Sequence, residues 1–300
     1  MSAIPRDAAS VILVRHGADG EQALLIRRDA SFAFAGATWV FPGGKLERSD
    51  GAPETLAKIG LEDDARGVTG APTSIATDLG LIVAACRETF EETGIVLATR
   101  ANGRLCDAKL ADALQPHRAE ILRDPAVFPA MLADNGLMIE PARLIRWSHW
   151  ITPSLSTKRF DTRFFVAMMP PDQTARCDSA EASELLWLDL RKADALPDPA
   201  LIPAPPTRFS LGDLALSLRE HGCIERLMES EAARHVVTIV PKMLRLNDQL
   251  TVLMPWDPGY PSAPGEGIQP GTRIPPHYLN FPSRVIPPAQ AIRMIDAPRG

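Results

Sequence analysis

The stretch RETFEETGI, residues 87–95, carries the strongest signal in this 300-residue sequence. At 3.6 residues per turn, Glu88, Glu91 and Glu92 share one face of a helix. Like charges at this spacing repel each other by roughly 0.2–0.5 kcal/mol per pair. A hard divalent cation relieves that repulsion, because Mg²⁺ and Mn²⁺ prefer oxygen ligands. The pattern therefore favours a metal-binding acidic face over an ordinary solvated one.

The helix that carries these residues extends back along the chain. Apolar and small side chains recur with i, i+3, i+4 spacing from residue 82 to residue 93, which predicts a helix over 79–93. Gly94 stands where a helix usually closes in the left-handed conformation. Arg87 precedes Glu91 by four residues and is placed to neutralise part of the acidic face.

A turn upstream completes the pattern. Residues 41–44, Phe-Pro-Gly-Gly, end a short predicted strand at 38–41. Together the two stretches resemble the Nudix hydrolases, whose box reads G-x5-E-x7-R-E-U-x-E-E-x-G-U with U apolar. Thr89 stands in place of an apolar U. The matching residues are Gly44, Arg87, Glu88, Glu91, Glu92, Gly94 and Ile95.

The spacing inside the box departs from the family. Arg87 follows Gly44 by 43 positions, against roughly 14 in the family pattern, so about 29 extra residues interrupt the box. The segment at about 45–78 is polar and rich in Gly and Pro, which predicts a surface insertion with a short helix near 53–61. Three residues stay open for the first acidic position of the box: Glu47, Asp50 and Glu54.

The interrupted box resembles one branch of that family, the peroxisomal CoA diphosphatases, over roughly residues 8–222. CoA-directed members carry a further signature upstream of the box. This chain matches it at 24–28 and 41–44, but Ala33 stands where the signature has an arginine. Three further stretches are similar to that branch: 148–153, 158–165 and 201–207.

This resemblance implies an activity and a substrate. The expected reaction hydrolyses a diphosphate linkage, with CoA or acyl-CoA giving 3′,5′-ADP and (acyl-)phosphopantetheine. ADP-ribose or another nucleoside-diphosphate sugar is the alternative substrate. A Nudix-like module that binds its ligand without turnover is the alternative from another class, although such a module has no need of three adjacent carboxylates.

The resemblance also implies roles for individual residues. Glu91 and Glu92 would hold one or more Mg²⁺ or Mn²⁺ ions, and Glu88 would be a further ligand or the base. The carbonyl of Gly44 would be an extra metal ligand. Arg87 would orient the glutamates without touching substrate.

Other site residues are less defined. Guanidinium groups suit bidentate phosphate binding, so Arg28, Arg159 and Arg163 are either phosphate contacts or ordinary strand-surface cations. A glutamate in a later loop serves as base or ligand in other members of the family. Glu181 and Glu184 are the candidates here.

Composition limits the partners. The net charge of −5 and the pI near 5.7 argue against a general nucleic-acid or anionic-membrane binder. No apolar run approaches the roughly 20 residues of a membrane span. The four cysteines lack metal-ligand spacing and are typical of free thiols in a reducing compartment. We therefore expect a cytoplasmic protein with a small-molecule nucleotide substrate.

The fold class expected is α/β (α+β). Strands are predicted at 10–16, 23–28, 38–41, 143–152 and 161–169, with a strand or helix entry at 184–189. Helices are predicted at 79–93, 207–220 and 224–235, and within a mostly helical stretch at 106–135. The resemblance implies that these elements form an α/β/α sandwich around a mixed sheet.

The chain divides by composition into a Nudix-like domain, 1–240, and a C-terminal arm, 241–300. The arm is rich in proline and has only one clear apolar run, 251–254, so it is expected to be extended. Its four aromatic residues predict that it packs on its own domain or on a neighbouring subunit. The second case would make the protein a homodimer.

Overall fold

A mixed sheet of eight strands lies at the centre of the protein. The computed structural model describes residues 3–28, 38–61, 75–177, 182–192, 204–246, 249–286 and 293–295. Within them the strands are β1 (Arg6–His16), β2 (Glu21–Arg28), β3 (Thr38–Val40), β4 (Gly43–Lys45), β5 (Thr99–Arg100), β6 (Leu137–Met138), β7 (Ile145–Ile151), β8 (Phe160–Met168), β9 (Ala182–Asp189), β10 (Thr238–Ile239), β11 (Lys242–Leu246), β12 (Gln249–Leu253), β13 (Arg284–Ile286) and β14 (Arg293–Ile295).

The described residues form helices in three groups. The insertion and the stretch that follows it carry α1 (Pro53–Lys58) and α2 (Ile75–Thr93). The helical stretch before β7 contains α3 (Ala108–Leu114), α4 (Arg118–Ile121) and α5 (Val127–Asp134). After β9 come α6 (Pro205–His221) and α7 (Ile224–Ser230). No helix among the described residues is both long enough and apolar enough to cross a membrane.

The sheet is built around β1. Its C-terminal end pairs antiparallel with β2, which confirms the predicted hairpin, and its N-terminal end pairs antiparallel with β4. On its other edge β1 runs parallel to β8, and β7 and β10 follow. β9 pairs with β2, so the 184–189 segment is a strand. In this register Ala9 lies between Gly44 of β4 and Arg163 of β8.

Helices cover both faces of this sheet, as the sandwich prediction requires. Val11 and Leu13 face a hydrophobic core shared with α2–α5, whereas Ile12 and Val14 face a second core shared with α6 and α7. A strand buried on both faces has a continuous apolar run rather than an alternating one. The run from Val11 to Val14 has this character.

The predicted helices form with small shifts at their ends. α2 begins at Ile75, about one turn earlier than expected, and ends at Thr93 as predicted. Gly94 closes it with φ of 73°, and its N–H donates to the Phe90 carbonyl. The 106–135 stretch is helical in three short pieces, whereas α7 ends at Ser230, five residues before its predicted end.

The insertion is attached to the domain rather than lying wholly on its surface. Leu56, Ile59 and Leu61 are almost fully buried in the core shared with α2. The prediction of a surface insertion followed from the overall polarity of the segment. That average does not show the three apolar side chains that anchor it in the core. Residues 62–74 of the insertion lie outside the described residues.

The C-terminal arm contains more regular structure than its composition predicts. β11, β12, β13 and β14 form an antiparallel sheet. Met254 and Val285 are buried in the second core, and the rings of Trp256 and Phe281 lie 5.4 and 5.6 Å from that of Phe209 on α6. Part of the arm therefore packs on its own domain; the homodimer stays a prediction.

Candidate active site

The acidic face of α2 lies directly against the turn formed by 41–44. The N–H of Gly43 donates to Oε2 of Glu92 at 2.7 Å. A Cβ on Gly44 would clash with the carboxylate of Glu88, so any other residue here would displace that carboxylate. The backbone of β4 and the carboxylates of α2 thus share one small site, because Gly43 and Gly44 carry no side chains at the point of contact.

A buried guanidinium supports this site from beneath. Arg87 donates from Nε and Nη2 to the two oxygens of Asp50, at 2.9 and 3.0 Å, and both side chains are at most 2% exposed. Its Nη1 donates to Oε1 of Glu91 at 2.6 Å and to Oε1 of Glu88 at 3.0 Å. Nη2 also donates to the Lys45 carbonyl, so Arg87 joins α2, the insertion and β4.

These contacts distinguish the three acidic residues that the sequence leaves open for the first acidic position of the box. Among the residues left open by the sequence, Asp50 contacts Arg87, whereas the side chains of Glu47 and Glu54 are exposed. Asp50 is also the residue reached by counting from Gly44 along the family pattern. The extra residues of the insertion therefore stand between Asp50 and Arg87.

The site carries an excess of negative charge. Burial raises the pKa of Glu88 to about 8; Arg87 opposes this shift, and the charges of Glu92 and Glu91 add to it. Burial also raises the pKa of Asp50, although its bonds to Arg87 act in the opposite direction. Asp50, Glu88 and Glu91 thus share the buried Arg87, with Glu92 close by, and a bound divalent ion would relieve the repulsion between these carboxylates.

The donor set fits Mg²⁺ or Mn²⁺, since all three α2 side chains offer carboxylate oxygens. Within the described part of the chain, however, no three acidic, histidine or cysteine side chains converge as a preformed metal centre. Arg87 and the Gly43 N–H hold the carboxylates instead. Metal binding here would compete with those bonds. Glu88 is the most open of the three, with 15% of its side chain exposed.

Two residues of the helical stretch before β7 hold the C-terminal end of α2 in place. The sequence did not indicate this contact. Arg118 donates from Nε and Nη2 to the carbonyl of Glu91, at 3.1 and 2.9 Å. Gln115 donates to the carbonyl of Gly94 at 2.9 Å. Carbonyls at a helix C-terminus lack partners inside the helix, so these bonds satisfy them. Neither residue belongs to a motif that could have revealed its role.

The predicted phosphate contacts are placed differently from one another. Arg159 is buried and donates to the carbonyls of Thr152 and Ala3 and to Glu266, so the structure does not bring it to the carboxylates. Arg163 lies on the same side of the sheet as α2 and pairs with Asp7 and Asp161, at 2.8 and 2.7 Å. Arg28 is the last residue of β2.

Of the two candidate accessory glutamates, Glu184 is not brought to the site either. Glu184 is exposed and pairs with Arg27 at 2.6 Å. Alternation along β2 places Arg27 on the same face as Ala23 and Leu25, which is the face covered by α6. Glu184 is therefore on the opposite side of the sheet from the α2 carboxylates. Glu181 lies outside the described residues.

Gly44→Ala tests the contact between β4 and α2. The new Cβ would push the Glu88 carboxylate from its position, and we expect turnover to fall about a hundredfold, since displacements of about 1 Å in an active site have that effect. Steady-state kinetics with metal in excess measure it. Lys45→Ala is the matched control, because its side chain is exposed and its carbonyl remains for Arg87. Wild-type turnover in Gly44→Ala would contradict the placement of Glu88.

Comparisons with known proteins show what this chain is similar to. A family model described as the NUDT19 Nudix domain matches residues 62–212, half of the chain. Acyl-coenzyme A diphosphatase NUDT19 of Xenopus laevis is 25% identical over 278 residues, which cover 81% of this chain and 72% of that protein. The protein of the same name from Gallus gallus is 26% identical over 308 residues, covering 86% and 80%.

A solved structure has the same fold. The Nudix hydrolase from Alicyclobacillus acidocaldarius superimposes with a TM-score of 0.60 at 26% identity. The match covers 76% of this chain and 96% of that one. The similarity therefore includes most of the central sandwich of both proteins.

Proposed function

This chain belongs to the Nudix hydrolase family, and we propose that it uses Mg²⁺ or Mn²⁺ to hydrolyse the diphosphate linkage of CoA or acyl-CoA. Diphosphate hydrolysis follows from family membership. The observation that carries the metal dependence is the trio of carboxylates on α2, packed against Gly44 with one buried cation beneath them. The name acyl-coenzyme A diphosphatase, which two relatives carry, supports the substrate.

Each residue of the site has a proposed part in the reaction. Glu91 and Glu92 would hold the ion, with the carbonyl of Gly44 as a further oxygen ligand. The ion, when bound, supplies charge neutralisation and an activated water. Glu88 is either a third ligand or the base, and its partial exposure suits the second role because a base must reach the attacking water.

The chemistry itself needs little covalent help from the protein. A water oxygen bonds to one phosphorus, the P–O bond to the bridging oxygen breaks, and the leaving phosphate keeps that oxygen. The proton of the water passes to the base. Arg87 would act as a positioning residue: its Nη1 lies between Glu88 and Glu91, and Asp50 holds it from the other side. Arg118 would fix the backbone of Glu91 in the same way.

A substrate panel tests this proposal. The protein is incubated with Mg²⁺, and separately with Mn²⁺, together with CoA, acetyl-CoA, ADP-ribose or NADH, and the products are separated by chromatography. We expect 3′,5′-ADP with phosphopantetheine from CoA, and its acetylated form from acetyl-CoA. EDTA should stop both reactions.

The other outcomes each select an alternative. Cleavage of ADP-ribose or NADH without cleavage of CoA would replace the substrate and leave the hydrolase. If no member of the panel is cleaved and wild type equals Glu92→Gln, the chain is a ligand-binding module. Turnover that persists in EDTA would overturn the metal dependence.

A further inference from the structure

A second feature of the molecule lies on the same face of the sheet as the carboxylates, two to three strands away from Gly44. A cavity of about 680 Å³ is lined by β7, β8, the first turns of α2 and the arm segment 266–272. We name it the Arg146 cavity; the lining residues used below are Leu81, Arg146, His149, Arg163, Val237 and Ile268. None of these residues belongs to the carboxylate site.

Strand register places this cavity relative to the carboxylate site. Gly44 pairs with Ala9, Ala9 with Arg163, and Arg163 with His149. Neighbouring strands lie about 4.8 Å apart, so Arg163 and His149 stand about 10 and 14 Å from Gly44. Ala9 faces the core shared with α2, and residues paired directly across strands point to the same face. The cavity therefore opens on the side of the sheet that carries the acidic helix.

An irregularity in β7 aims Arg146 into this cavity. The pairing of β7 with β8 shifts register between Arg146 and Ser148. Trp147 and Ser148 both bond to Ser210 of α6, on the far side of the sheet. One extra residue thus faces α6, and Arg146 and His149 both remain on the cavity side. Without the bulge, one of the two would face the other core.

Among the cations of the cavity, Arg146 differs in its partners. Arg163 is neutralised by Asp7 and Asp161, and His149 bonds to Asp161 and Thr238. The side chain of Arg146 donates no hydrogen bond to the part of the chain that the structure describes. Burial lowers the pKa of its guanidinium, and the charge of Asp78 partly offsets that effect. A half-buried guanidinium that makes no hydrogen bond to the described residues is placed to bind an anion that enters the cavity.

We propose that the Arg146 cavity binds the nucleoside end of the substrate and that Arg146 contacts a phosphomonoester on it. This rests on the proposed function, because CoA carries such a group only on its nucleotide half and ADP-ribose carries none. Leu81, Val237 and Ile268 supply apolar wall for the nucleoside itself. Arg146 would then be the residue that favours CoA over nucleoside-diphosphate sugars.

Binding without metal tests this proposal directly. Calorimetry in EDTA compares adenosine 3′,5′-bisphosphate with adenosine 5′-monophosphate on the full chain. We expect wild type to bind the bisphosphate at least about tenfold more tightly, as charge-assisted hydrogen bonds to phosphate typically allow. In Arg146→Gln the two ligands should bind equally. Arg143→Gln, an exposed arginine three residues earlier, should keep the wild-type preference.

The result that would overturn the proposal is equal binding of both ligands by wild type, or a full preference retained in Arg146→Gln. If thermal denaturation shows that Arg146→Gln does not fold, Arg146→Lys replaces it. That variant keeps the charge but loses the fork of donors, so an intermediate preference is expected. An unchanged preference in Arg146→Lys together with unchanged affinity would likewise count against the role of Arg146.

The two proposals fail separately. If CoA is not cleaved but the bisphosphate preference is present and depends on Arg146, the cavity assignment stands and the proposed function falls. If CoA is cleaved but wild type shows no preference for the bisphosphate, the function stands and the cavity assignment falls.

Discussion

Glu92→Gln is expected to lower the turnover of diphosphate substrates by more than about a hundredfold while the chain stays folded. Loss of a group that merely orients a metal ligand typically costs 10- to 100-fold, so loss of the ligand itself should exceed that. The amide oxygen of glutamine can still accept the bond from the Gly43 N–H. Removing one charge also reduces the repulsion that raises the pKa of Glu88. Thermal stability without metal should therefore be equal or slightly higher.

Two measurements check this expectation. Steady-state kinetics over a range of Mg²⁺ concentrations give the loss of turnover, and thermal denaturation in EDTA gives the stability. Glu184→Gln is the matched control: Glu184 is exposed on the opposite face and paired with Arg27, so turnover should stay within about twofold of wild type. If Glu92→Gln unfolds, the carboxylate is structural, and the proposed role fails.

Local sequence patterns were enough to predict the framework of this site. The β1–β2 hairpin and the β7–β8 pair are buried strands with apolar runs, and α2 repeats its apolar positions every three or four residues. The closeness of Glu88 to Gly44 could be expected because both belong to one recognisable box. In each case the information is contained in a short stretch of chain.

Contacts between distant stretches could not be predicted in this way. The guanidinium of Arg159 has donors suited to phosphate. Those donors instead bond to the carbonyls of Thr152 and Ala3 and to Glu266 of the arm. The sheet of the arm depends on the pairing of β12 with β13, which follows about thirty residues later in the chain. A single sequence shows neither the partner of a buried arginine nor the pairing of two short strands.

The interrupted box is the clearest example of this limit. Counting from Gly44 leads to Asp50, whereas counting back from Arg87 leads to Leu79, because the position of the insertion is unknown. In the folded chain Asp50, and not Leu79, lies against Arg87, with which it forms a buried ion pair. Lengthening the connection between Asp50 and Arg87 from about 7 to about 36 residues costs only about 1.4 kcal/mol in closure entropy. Burial of Leu56 and Ile59 offsets this, so the pair survives the insertion.

Asp50→Ala is expected to lower the free energy of unfolding by about 3 kcal/mol. Breaking a buried ion pair typically costs 3–5 kcal/mol because one charge is left without its partner. The lower end applies here, since Arg87 keeps its bonds to Glu88 and Glu91. Urea denaturation of the metal-free protein measures the loss.

The control for this variant comes from the alternatives that the sequence leaves open. Glu47→Ala removes an exposed carboxylate three residues away and should change the free energy of unfolding by less than about 0.5 kcal/mol. Its N–H, which bonds to Asp50, is unchanged. Equal losses in Glu47→Ala and Asp50→Ala, or a loss below about 1 kcal/mol in Asp50→Ala, would contradict the assignment of Asp50 as the partner of Arg87. A large loss in Asp50→Ala alone would mean that an acidic residue 37 positions upstream secures the arginine on which the metal face rests.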